Sequence, residues 1–492
     1  MRGKNKFADD SPVVREFLDS SEIPEVGMVA STPPTWSHRL IHNSMVGFGF
    51  LADAYDLFVI NLVLQTLTLV YGDVWGAKYR GLIAQSALLG ALVGQITFGF
   101  LADFFGRRPI FLLTSALTIF GAIFSAIIKS DDATALAIQL IIFRFLLGVG
   151  IGGEYPLAAS VSQETAELDH HNSGRPESLN EASSASGSRA VLGVFCLQGI
   201  GFLLCAVVVL LLANSNCTND FIWRFSLGFG AVPAIIAFSL RFLLMRETLD
   251  QDNRRDSSLN QSTTDRSQTF RGNLMALIGT AVSWFLLDVT FYANALLQSS
   301  ISESVTLESG NLKSHALVAL YTALIALPGY ILSFLFAHSV GLWRLQLLGF
   351  ITMSVLYGIL AGFSNSIGHV IFVILYGLSF LSSNFGPNAT TFVLASSVFP
   401  KNIRASCHGL SAASGKAGAF LGVLVIAAFA QKSARLAFVT CAITALFGAF
   451  ITFIFVPNID TRHTTYSQAN FIEHEDIQRP SSSSRSSLPF IR

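Results

Sequence analysis

Charge is scarce in this chain. Only 13% of its 492 residues are Asp, Glu, Lys or Arg, about half of the roughly 25% found in soluble globular proteins. Neither sign is in excess: 31 basic residues stand against 31 acidic ones, so the basic surplus expected of a nucleic-acid binder is missing. Cysteine is rare too, and 5 thiols in a chain of this length exclude a disulfide scaffold. What is abundant is apolar: 52% hydrophobic residues, with 42 Phe and 39 Gly. Such a composition is suited to the lipid bilayer.

A hydrocarbon core about 30 Å thick is crossed by a helix of about 20 mainly apolar residues. Runs of that kind lie near 45–70, 80–102, 109–128, 134–160, 189–213, 222–245, 272–298, 315–337, 343–363, 367–397, 406–430 and 434–456. Backbone exposed to lipid must satisfy its own hydrogen bonds, so the expected fold is all-α: a polytopic membrane protein with twelve transmembrane helices. An even number of spans puts both termini on one side. With both in the cytoplasm, about 21 of the 31 Lys and Arg fall on cytoplasmic segments, about 7 on outer loops and about 3 within the membrane, in agreement with the positive-inside rule. The polar first 40 or so residues lack the layout of a cleaved signal peptide, so the first run is expected to act as an uncleaved anchor.

Polar stretches divide the chain. The expected parts are a cytoplasmic tail (1–44), a six-helix bundle (45–245), a charged, Ser- and Thr-rich cytoplasmic linker (246–271), a second six-helix bundle (272–457) and a disordered cytoplasmic tail (458–492). An acidic, Ser-rich insert at 164–189 reads as a mobile surface loop inside the first bundle. Asn216-Cys217-Thr218 falls in an outer loop, where Asn216 is a possible glycosylation site.

The two halves repeat each other. Phe50-Leu51-Ala52-Asp53 recurs as Phe285-Leu286-Leu287-Asp288, and the same offset aligns Asp103 with His338 and Gly106 with Gly341. Two parallel six-helix halves around a central site is the plan of the major facilitator superfamily. The loop Gly99-Phe100-Leu101-Ala102-Asp103-Phe104-Phe105-Gly106-Arg107-Arg108 matches that superfamily's most familiar motif. Its Gly permits a tight turn, and Asp103 can latch onto the N-terminus of a neighbouring helix, so Asp103, Arg107 and Arg108 are candidate gate residues.

Charges within the spans are few: Asp53, Asp56, Arg144, Glu154, Arg241, Asp288 and Lys416. A charge at the bilayer centre costs about 2.5–3.5 kcal/mol on insertion scales, so each is a functional candidate. Arg241, near a cytoplasmic helix end, is expected to snorkel to the interface. Arg144 suits helix bracing and substrate contact equally. Asp53 and Asp56 are three apart on one helix face, where mutual repulsion favours a shared proton. Trp284, Asp288 and Tyr292 recur every fourth residue along one stripe, a polar lining with an indole, a carboxyl and a phenol. The Gly150-Ile151-Gly152-Gly153-Glu154-Tyr155-Pro156 and Asn384-Phe385-Gly386-Pro387-Asn388 segments carry helix breaks that free backbone groups. Gln198 adds an amide, and Lys416 is a cation among small residues. Together these groups describe a site for a small oxyanion that travels with protons.

These motifs resemble the phosphate:proton symporters, the high-affinity inorganic phosphate transporters of fungi and plants. The matching stretches are 53–58, 150–157, Gln198-Gly199, 284–292, Pro328-Gly329-Tyr330 and, most specifically, 385–392 and 408–418. The resemblance implies a phosphate site on Tyr155, Gln198, Trp284, Asp288, Tyr292, Asn388 and Lys416, and a proton route through Asp53, Asp56 and Glu154, with Asp288 taking part in coupling. It also implies a plasma-membrane location. Glu154 stands where the family usually has Asp, Ser397 replaces a usual Glu, and the second gate loop carries His338 and Gly341-Leu342. No nucleophile–base pair, phosphate loop or metal-ligand spacing is present, so neither enzyme nor cofactor is expected. The partners implied are inorganic phosphate, protons and the lipid bilayer. Rival readings keep the fold but carry sulfate, an organic ion or sodium-coupled phosphate, or sense phosphate without transporting it.

Overall fold

The computed structural model describes residues 36–172, 180–244, 271–299, 301, 311–363, 366 and 368–458. Most of the two tails and of the 246–271 linker lies outside the described residues. Those described form helices with no strand among them: α1 (Trp36–Tyr71), α2 (Asp73–Phe105), α3 (Arg107–Ile127), α4 (Ala133–Asn172), α5 (Asn180–Ala213), α6 (Asn219–Phe229), α7 (Ala231–Leu244), α8 (Leu274–Leu296), α9 (Leu312–Val340), α10 (Leu342–Phe363), α11 (His369–Phe385), α12 (Pro387–Ser397), α13 (Arg404–Lys432) and α14 (Ala434–Phe455). They supply 12 segments long and apolar enough to cross a membrane, with α6 and α7 sharing one and α11 and α12 another.

The breaks have local causes. Gly106 (φ 89°) and Gly341 (φ 92°) both adopt positive φ, turning α2 into α3 and α9 into α10. A side chain would strain either position, and the match between them is the internal repeat expressed as backbone geometry. Gly386 separates α11 from α12, where Pro387 opens the new helix because its missing N–H is not needed there. Pro156, by contrast, sits inside an uninterrupted α4. The break expected there does not occur; α4 is clasped by α2, because Gly148 and Gly152 face the backbone of Ala87 and Ala91 too closely to admit a side chain.

Each half packs in the same order. In the first, α2 lies on α4, α3 on α4 and on α6–α7, and α1 on α5; in the second, α9 lies on α11, α10 on α11–α12 and on α14, and α8 on α13. The halves meet along two seams, α2 against α13 and α5 against α9. In the 164–189 stretch residues 173–179 lie outside the described residues, while both flanks are helical where a mobile loop was expected. Helix α4 runs on to Asn172 and α5 begins at Asn180, and both Glu164 and Glu167 are held by arginines.

Candidate functional site

The α8 stripe lies buried where the two halves meet. Trp284, Asp288 and Tyr292 are all buried, and Lys416 of α13 donates from Nζ to Asp288 Oδ2 at 2.9 Å. The close approach depends on Gly415: a Cβ there would lie 2.9 Å from Trp284 Nε1 and 3.0 Å from Asp288 Oδ2. The Lys416 ammonium also sits 4.2 Å above the Tyr292 ring and 5.1 Å from that of Tyr155, across the interface on α4. One cation, one carboxyl and two phenols therefore converge, drawn from both halves.

Aromatic layers bound this cluster. On one side Phe392 packs against Phe50, Tyr155, Phe195 and Trp284, with ring centroids 4.9–6.2 Å apart. On the other, Phe58 stacks on Tyr292 at 5.8 Å and meets Phe202 and Phe291. Gln198 lies on α5 between Phe195 and Phe202, one turn from each, and its buried Oε1 accepts no hydrogen bond among the described residues. Asn388 donates to Asn384 Oδ1 at 2.8 Å and to the Tyr330 hydroxyl at 3.4 Å. It joins the cluster through Tyr330, whose ring lies 5.7 Å from Phe195. The cluster thus has an unpaired acceptor, Gln198 Oε1, at its edge and a paired charge at its centre.

Asp53 and Asp56 are fully buried on α1, and neither carboxyl has a hydrogen-bond partner among the described residues. Asp56 presses against Gly230, at the α6–α7 junction, beneath Arg144, which donates to its backbone oxygen at 2.6 Å. Asp53 stands one turn beyond Gly49, the position where Glu154 and Arg241 close on α1. Arg144 braces α4 to α1 and makes no hydrogen bond to the central cluster among the described residues.

Arg241 corrects the expectation of snorkelling. It is wholly buried and grips Glu154 with two hydrogen bonds, Nη1 to Oε1 at 2.6 Å and Nη2 to Oε2 at 2.8 Å. Nη1 also donates to the Ser115 hydroxyl, and the guanidinium lies 3.8 Å from the Phe111 ring centroid. Position near a helix end could not reveal this, because the partner is on α4.

At the end of the bundle bearing Arg107 and Arg108, an ionic latch spans the α2–α13 seam. Asp103 Oδ2 accepts the Ser406 backbone N–H at 2.8 Å and its hydroxyl at 2.5 Å, in the first turn of α13. Arg107 bonds Asp103 Oδ1 at 2.5 Å and Glu164 at 2.9 Å, and Arg404 holds Glu167 at 3.1 and 3.2 Å. Arg108 is half-buried at the start of α3. The matching loop of the second half has an exposed His338, while Ser188 and Ser397 hydroxyls meet across the α5 seam at 2.9 Å. Asn216 is exposed in the turn between α5 and α6, at the opposite end.

Three groups in or beside the cluster escaped sequence reasoning as site residues. Tyr330 follows Pro328-Gly329, a signal that could have flagged it. His408 packs edge-on to Trp284 and Phe392, and its Nε2 lies 3.2 Å from the Phe392 carbonyl. Phe392 closes the 385–392 stretch but carries no polar group that would single it out.

Comparison with known proteins agrees with this architecture. The family described as sugar (and other) transporter matches residues 43–249 and 245–471. The low affinity inorganic phosphate transporter 4 of Lotus japonicus is 31% identical over 480 residues, covering 83% of this chain and 88% of that protein. The low affinity inorganic phosphate transporter 1 of Petunia hybrida is 31% identical over 456 residues, covering 79% and 82%, and the inorganic phosphate transporter 1-11 of Oryza sativa subsp. japonica is 30% identical over 483 residues, covering 83% and 84%. Among solved structures, the proton:xylose symporter XylE superposes with a TM-score of 0.64 at 18% identity, covering 86% of this chain and 96% of that one. A partially occluded inward-open form of XylE from E. coli gives 0.64 at 18%, covering 86% and 99%; at that identity the likeness concerns fold alone. The chain belongs to the sugar (and other) transporter family, with the major facilitator fold, and its curated relatives here are inorganic phosphate transporters.

Proposed function

We propose that this protein is a proton-coupled inorganic phosphate symporter of the plasma membrane, working by alternating access with both termini cytoplasmic. Phosphate binds near the midplane between bundles 45–245 and 272–457. Tyr155, Gln198, Trp284, Asp288, Tyr292, Asn388 and Lys416 hold it, and Asp53, Asp56, Glu154 and Asp288 carry protons. Asp103, Arg107 and Arg108 form the cytoplasmic gate, and Asn216 faces outward, where glycosylation can reach it.

The observation that carries this reading is the buried Lys416–Asp288 pair facing two tyrosines. Phosphate carries one to two negative charges near neutral pH, so an ionised Asp288 repels it. A protonated Asp288 becomes a donor and releases Lys416 to face the anion. Proton and phosphate then favour each other's binding, and the linkage is reciprocal. The named activities of the curated relatives point to the same substrate.

Proteoliposomes holding the full chain test the proposal. Labelled phosphate should accumulate when an inward pH gradient is imposed and not when a sodium gradient replaces it. One pH unit is worth about 1.4 kcal/mol per proton, so each coupled proton raises the limiting accumulation about tenfold per unit. Preference for sulfate or an organic ion in competition would reassign the substrate. Binding of phosphate without accumulation would make the protein a sensor.

A further inference from the structure

The Glu154–Arg241 pair has three features of a built electrostatic device and no role in holding substrate. First, it is closed off from solvent, with side-chain exposures of 3% and 0%. Second, it is closely engaged: both carboxylate oxygens accept from separate guanidinium nitrogens, and Ser115 and the Phe111 face hold the arginine from α3, leaving only Arg241 Nε without an acceptor among the described residues. Third, α1 lies directly on it. A Cβ at Gly49 would overlap both the Arg241 guanidinium and the Glu154 carboxylate. Asp53 is one turn further along the same α1 face, and Glu154 and Arg241 are the foremost charges in its surroundings.

We propose that Arg241 is a positioning residue of the proton route: as the resident counter-ion of Glu154 it keeps that carboxylate available to take a proton from Asp53 and to give it up again. This rests on the symport reading above. The step balances without another reactant. The proton leaves an Asp53 oxygen for a Glu154 oxygen, one Arg241 hydrogen bond to Glu154 opens as it arrives, and that bond re-forms when the proton departs towards the cytoplasm. Charge in this pocket comes from every packed element as follows: Asp53 and Asp56 from α1, Arg144 (beside Asp56) and Glu154 from α4, and Arg241 from α7. Helix α3 has no ionisable residue between Pro109 and Ile127 and contributes the Ser115 hydroxyl. A buried carboxylate deprived of its cation holds a proton more tightly. Without Arg241 the proton would therefore reach Glu154 and stay there. A Lys would keep the charge but lose the two-pronged grip.

The test uses full-length protein in proteoliposomes and compares two readouts, proton-driven phosphate accumulation and phosphate–phosphate exchange at equal pH. Arg241→Gln should cut accumulation at least tenfold and move the alkaline limb of its pH profile about one unit higher, one unit being the tenfold step, while exchange falls far less. Arg241→Lys should restore part of the accumulation and return the profile towards native. Gly49→Ala forces α1 off the pair with every charge retained, and should lower accumulation relative to exchange in the same direction. Parallel loss of accumulation and exchange, or an unchanged pH profile in Arg241→Gln, would overturn the assignment, as would full accumulation by Gly49→Ala. Native protein that exchanges no phosphate would overturn the symport reading itself, which separates the two failures.

Discussion

Asp103, at the end of α2, accepts the backbone N–H of Ser406 at 2.8 Å, although 303 residues separate them. A carboxylate at the positive end of a helix is stabilised by the peptide dipoles there. Here that helix belongs to the opposite half, so the contact ties the two bundles together at one end. Glu164, Glu167, Arg107 and Arg404 extend the tie across the same seam.

Asp103→Asn should weaken this closure by about 1–2 kcal/mol, which is a factor of about 5–30 in the closed-to-open ratio. Gln95 is buried on α2, and its backbone carbonyl meets α13 at Gly409. A cysteine at position 95, in a chain lacking the native thiols, reports opening by its alkylation rate. Faster labelling in Asp103→Asn is expected; an equal rate would mean that the latch does not govern the seam.

Gly409→Val should open the same seam without altering any charge. A Cβ at Gly409 overlaps the Gln95 carbonyl and lies 3.2 Å from the Gly99 Cα, and overpacking of this kind costs about 1–3 kcal/mol. The same alkylation assay measures it. Protection equal to the parent chain would show that α2 and α13 can part locally without opening.

Lys416→Met leaves Asp288 buried without its cation, and breaking a buried pair costs about 3–5 kcal/mol. Asp288→Asn combined with Lys416→Met should recover most of that loss. Thermal unfolding in detergent of the two single variants and the double variant gives the coupling. Strictly additive losses would mean that the pair contributes little to holding α8 against α13.

Asp288→Asn should abolish proton-driven phosphate accumulation, because an amide cannot alternate between charged and neutral forms. Uptake of labelled phosphate under an imposed pH gradient is the measurement. Concentrative uptake at the native level by this variant would remove Asp288 from the coupling scheme.

Much of the architecture was legible beforehand because the bilayer restricts what an apolar run can become. Twelve runs predicted 12 spans, and the repeat offset that aligned Gly106 with Gly341 reappeared as two matching positive-φ turns. The α8 stripe was equally readable: residues four apart on a helix share a face whatever surrounds them. The reading failed where the answer lay on another helix. Arg241 looked like a snorkelling terminal residue until Glu154 appeared as its partner. The polar composition of 164–189 suggested a loop, yet Glu164 and Glu167 on α4 meet arginines from α3 and α13.

Scarcity of charge, length of the apolar runs and spacing of the glycines determined by themselves that this chain enters a membrane as twelve helices in two related halves. These are local properties, set by the cost of placing polar groups in lipid and by the backbone freedom of glycine. Only the tertiary structure decided which of the few buried charges meet: Lys416 with Asp288, Arg241 with Glu154, Asp103 with the head of α13. Each of those pairings joins helices remote in the chain. Their energies depend on distance and burial, quantities that exist only once the helices have packed.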